Sequence, residues 1–65
     1  MTNKNIIRNE IDKISNHLDI IMADLVNVIA LLRDNNLMKE ADYFDGVGQE
    51  LYIIKESINQ LRSYF

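Results

Sequence analysis

Eight apolar residues, Ile7, Ile11, Ile14, Leu18, Ile21, Leu25, Val28 and Leu32, follow one another at alternating intervals of four and three. That spacing lies close to the turn of an α-helix, so it lays all eight along one stripe of one rod. A second series, Phe44, Val47, Leu51, Ile54, Ile58, Leu61 and Phe65, alternates three and four after a polar interval. A β-strand would need alternation at two, which neither segment shows. Each stripe must be covered by something, and the nearest cover for one is the other. The expected fold is all-α: an antiparallel two-helix hairpin forming a single domain over residues 1–65.

Helix 1 is expected over about 3–33, with Thr2 or Asn3 accepting hydrogen bonds from the free amides of the first turn. Asp34-Asn35-Asn36 is the turn, because Asn tolerates the left-handed backbone that closes a helix. Asn36 is the expected N-cap of helix 2, which runs over about 37–64. So short a link makes the helices antiparallel neighbours. Asp45-Gly46-Val47-Gly48 places two glycines inside helix 2, a cost on the order of 2 kcal/mol relative to alanines. Phe44, Val47 and Leu51 nevertheless stay in phase across them, which favours one continuous helix, with Gly46–Gly48 the place for any kink. Arg8 with Asp12 and Glu10 with Lys13 stand four and three apart, the spacing of surface ion pairs.

Helix 1 is apolar beyond its stripe. Ile20, Met22, Val26, Ile29 and Leu31 spread greasy surface around more than half its circumference, and one partner helix cannot cover that. The expectation is a homodimer closing into a four-helix bundle, with Met22, Val26, Ile29 and Leu31 at the dimer interface.

Function classes fall away by residue type. The chain has no Cys and one His, which excludes disulfides, thiolate metal sites and histidine-rich zinc sites. His17 has no Cys or nearby Ser to form a relay, and the Glu-x-x-His pattern of helical di-metal sites would need Glu where Ile14 stands. Asp42 and Asp45 are three apart, as two metal carboxylates could be, but nothing joins them. Gly46-Val47-Gly48 lacks the strand and the Lys-Ser/Thr of a phosphate loop. No catalytic, cofactor or metal residues are assigned, and no enzymatic activity is expected.

The net charge of −3 is unevenly placed. Lys4, Arg8 and Lys13 outnumber Glu10 and Asp12 before residue 19, and Lys55 and Arg62 outnumber Glu56 after residue 50. Between them, seven acids (Asp19, Asp24, Asp34, Glu40, Asp42, Asp45, Glu50) face only Arg33 and Lys39. The turn end is therefore acidic and the open end mildly basic. This reads as a solvated surface or as an acidic patch for a basic protein partner, with Asp42, Asp45, Gly48 and Tyr52 as the candidate partner contacts. Gly48, one heptad after Ala41, offers either close helix packing within the fold or a shallow contact point for a partner. Tyr43, Tyr52 and Tyr64 fall beside the stripe, as interface anchors or as edge caps with the hydroxyl in water.

In architecture the chain resembles the Rop-like plasmid RNA regulators, acidic hairpins that dimerise. That resemblance implies RNA binding by Arg8, Lys13, Lys55 and Arg62, although scattered cations make a poor match to a phosphate backbone. Gly48-Gln49-Glu50-Leu51-Tyr52 resembles the Ser-Gln-Glu-Leu-Asp signature of small sporulation phosphatases at Gln49, Glu50 and Leu51. Gly48 and Tyr52 depart from it, and the second departure removes the acid on which that activity depends. No signal-peptide core is seen, and Leu18 to Leu32, interrupted by Asp19, Asp24 and Asn27, is short for a bilayer. Frequent Ile and Asn suit an AT-rich bacterial, phage or plasmid gene. The expectation is a cytoplasmic, non-enzymatic regulator or inhibitor acting on another protein.

Overall fold

A computed structural model describes residues 3–65 as two α-helices, α1 (Lys4–Asp34) and α2 (Met38–Arg62), packed against each other along their length. The rod measures 55 × 15 × 11 Å. Asn3 caps α1: its Oδ1 accepts from the amides of Asn5 at 3.1 Å and Ile6 at 3.2 Å. Thr2, the other candidate cap, lies outside the described residues. At its far end α2 closes with the Tyr64 and Phe65 amides donating to the carbonyls of Leu61 and Arg62.

The turn corrects one assignment. Asn36 does not cap α2; it takes the left-handed conformation, φ 61°, that ends α1. The Leu37 amide then donates to the Leu32 carbonyl at 2.8 Å and the Asn36 amide to the Arg33 carbonyl at 3.0 Å. These two bonds satisfy carbonyls the last helical turn would otherwise leave open. Leu37 falls at the N-cap of α2, where it makes no side-chain bond. Its carbonyl accepts from the Ala41 amide at 3.0 Å and starts the helix. α2 continues unbroken through Gly46 and Gly48, neither of which has a positive φ.

The seam between the helices is rotated from the expected one. The partly or fully buried residues in the seam row of α1 are Ile11, Ser15, Leu18, Met22, Leu25, Ile29 and Leu32, and Ile7, Arg8 and Asp12 are also partly buried toward the open end. Those of α2 include Ala41, Phe44, Gly48, Leu51, Lys55 and Ile58. Both sets keep the four-and-three spacing, and both retain part of the expected stripe. Five members of the expected stripes turn outward, Ile14, Ile21, Val28, Ile54 and Leu61 being 40–50 % exposed, while Ile7, Val47 and Phe65 stay partly buried.

Small side chains explain the rotation. Ala41 is fully buried, and a Cβ on Gly48 would lie 3.3 Å from Leu25 Cδ2. The seam thus sets Gly48 of α2 against Leu25 of α1, leaving no room there for a larger side chain without a shift. Toward the open end the row begun by Ala41 and Gly48 continues as Lys55 and Arg62. Their ammonium and guanidinium groups reach out of the seam to Asp19 and Asp12. That row of α2 is thus small and apolar near the turn and cationic toward the open end. Among the described residues only Ile11, Ile29 and Ala41 are buried, and no large side chain is fully enclosed.

Candidate interaction surface

Cross-helix partners fix which residues share a side. Asp12 faces Arg62, Asp19 faces Lys55, and Leu25 faces Gly48. In an antiparallel pair, the heptad row before the seam on one helix lies beside the same row on the other. Carrying the register along sets Ile14 beside Leu61, Ile21 beside Ile54 and Val28 beside Val47. Ile7 extends this row toward the open end. One side of the hairpin is therefore a continuous band of branched aliphatic side chains, without a charged residue between Ile14 and Val28 or between Val47 and Leu61 in these rows. Its outer edges are Glu10, His17, Asp24 and Leu31 on α1 and Tyr43, Glu50, Ser57 and Tyr64 on α2, all exposed.

The opposite side carries the ion pairs. Arg62 Nε donates to Asp12 Oδ1 at 2.5 Å, Lys55 pairs with Asp19, and Arg33 pairs with Asp45 at 2.6 Å. The hydrogen bond from Arg62 holds the Asp12 carboxyl below its usual range, and the same bond raises Arg62. The sequence spacing of Arg8 and Asp12 misled here, since Asp12 is engaged across the seam by Arg62 instead. Glu10 and Lys13 do pair, at 3.0 Å.

The four residues expected at a dimer interface do not share a face. Met22 and Ile29 belong to the seam within the hairpin, and Ile29 is 8 % exposed. Val26 is exposed on the ion-paired side, whereas Leu31 is exposed at the edge of the apolar band. The exposed branched residues outside the seam lie on both helices, not on α1 alone. Ile14, Ile21, Val28, Ile54 and Leu61, assigned to the seam from their spacing, are instead exposed.

The expected partner contacts divide as well. Asp42, near the turn, and Tyr52, past the middle of α2, are exposed on the ion-paired side, and Asp45 bonds Arg33 on that side. Gly48 is a packing residue under Leu25. Of the cations considered for RNA, Lys13, Lys55 and Arg62 each pair with a carboxylate. His17 is exposed, and among the described residues no three His, Asp or Glu side chains converge as metal ligands.

By length and composition α1 does qualify as long and apolar enough to cross a membrane, which corrects the expectation that its apolar stretch is too short. Length and composition alone do not distinguish such a span from the amphipathic helix of a bundle. The chain matches no protein family model, no curated protein and no solved structure at a significant level.

Proposed function

We propose that this chain is a small, non-enzymatic regulator or inhibitor that dimerises and acts by binding another protein, in the manner of phage, plasmid or bacterial antirepressors. The apolar band flanking the seam carries this reading. A hairpin that leaves Ile14, Ile21, Ile54 and Leu61 about half exposed presents more contiguous greasy surface than a solitary soluble chain usually does. The opposite side, acidic toward the turn at Asp42 and Asp45 and bearing exposed Tyr52, is suited to a basic protein partner in the cytoplasm. The ion pairing of Lys13, Lys55 and Arg62 speaks for a protein rather than an RNA partner.

The test is comparative affinity capture from the native host with the wild-type chain and with the double variant Asp42→Lys, Tyr52→Ala. A specific protein should be retained by the first and lost by the second, while both sediment alike. Identical captured sets on both baits, or nucleic acid alone, would refute the assignment.

A further inference from the structure

We propose that the apolar band is covered by a second copy of this chain, related by a two-fold axis that places the two turns at opposite ends of a four-helix bundle. This deepens the dimer part of the reading above by fixing the face, the occupant and the orientation.

Area argues for a copy of the same size. A compact chain of 7.6 kDa exposes about 4,300 Å². This hairpin exposes 5188 Å². The excess, roughly 900 Å², is near the ~800 Å² that each partner contributes to a standard interface. The band runs along both helices, so a flat face-to-face copy covers it in full, and an isologous contact meets like with like.

Charge decides the orientation. Two face-to-face arrangements obey a two-fold. With both turns at one end, α1 lies over α2 of the copy at the same height, and Asp24 on the edge of one meets Glu50 on the edge of the other, twice. With the turns at opposite ends and the axis at Ile21 and Ile54, α1 lies over α1. Ile21 then meets its own copy, Ile14 meets Val28, and Asp24 falls beside His17. Glu50 falls beside Ser57. No like charges oppose each other along the edges, and the acidic turn of each chain sits over the basic open end of its partner. Like-charge juxtaposition at an interface selects against the first arrangement.

The experiment uses the full chain carrying Lys39→Cys, an exposed position in the first turn of α2 in a protein with no native Cys. A nitroxide label there is followed by pulsed electron–electron spin resonance, alongside sedimentation at the same micromolar concentration. Residue 39 lies 15 positions from Ile54, so at 1.5 Å per residue the two labels of an opposite-turn dimer stand about 45 Å apart. Turns at the same end would bring them within ~25 Å, given helix spacings of 8–10 Å. A dimer with the long distance is expected. A dimer with the short distance overturns the orientation and leaves dimerisation standing. A monomer in sedimentation, with no intermolecular distance, overturns both.

Discussion

Gly46 and Gly48 stand two residues apart in one helix, yet the structure separates their roles, and alanine substitutions should report the difference. A Cβ on Gly46 meets nothing within 4 Å, and the backbone there is helical. Gly46→Ala should therefore keep the whole gain in helix propensity, roughly 1 kcal/mol, because it only removes freedom from the unfolded chain. For a domain of this size that amounts to a rise of about 4–8 °C in the melting midpoint. At Gly48 the same gain is offset by contact with Leu25 Cδ2, 3.3 Å from the new methyl group. Leu25 can yield by a few tenths of an ångström, so Gly48→Ala should stabilise by less than Gly46→Ala. Gly48→Leu cannot be accommodated without parting the helices and should cost about 1–3 kcal/mol, the usual range for overpacking. Thermal and urea unfolding followed by circular dichroism at 222 nm, at one fixed protein concentration, measures all three. A Gly46→Ala variant no more stable than wild type, or a Gly48→Leu variant that is, would mean that the seam does not pass where Leu25 and Gly48 meet.

Five further substitutions probe other parts of the hairpin. Asp12→Asn should flatten the acid limb of the stability curve. The folded-state pKa of Asp12 is depressed, so the Arg62 pair contributes above the unfolded value and is lost as pH falls through the depressed one. Unfolding between pH 2 and 6 at low salt checks this, and an unchanged slope would contradict the pairing. Asn36→Ala should cost on the order of 1 kcal/mol, because alanine disfavours the left-handed φ of 61°, while Asn36→Gly should not; urea midpoints compare the two. Ile21→Lys should shift sedimentation toward the 7.6 kDa monomer, and Val26→Lys, on the ion-paired side, should not. Equal effects of the two would remove the apolar band as the dimer face.

Helix number, bounds within about two residues, the antiparallel path and the continuity of α2 were all legible, since each follows from apolar spacing and turn chemistry close in sequence. The face of the seam was not. Hydrophobic spacing weighs Ile14 and Ile21 as stronger seam residues than Ser15 or Lys55, yet the structure buries the latter more. What decides is the approach that Ala41 and Gly48 allow, a steric term that a count of greasy residues does not contain. The same limit applied to Asn36, whose side chain suits a cap and a left-handed turn equally. Local pairing rules likewise favoured Arg8 for Asp12, and only the register across the hairpin brings Arg62 within reach.

The rotation of the seam also explains why one heptad pattern forms the hairpin and still leaves a row of apolar residues exposed. Leu18, Leu25, Phe44 and Leu51 belong to the stripe on either reading and hold the hairpin together. The small-and-ionic row on one flank closes the helices on each other, and the aliphatic row on the other flank is left facing outward. Were the hairpin to pack through Ile14, Ile21 and Val28 instead, Lys55 and Arg62 would lose their reach to Asp19 and Asp12, and Ala41 and Gly48 would face solvent without purpose. The apolar band is thus a consequence of satisfying the cations and the small residues first, and dimerisation through it would bury the one part of the repeat that the hairpin leaves open.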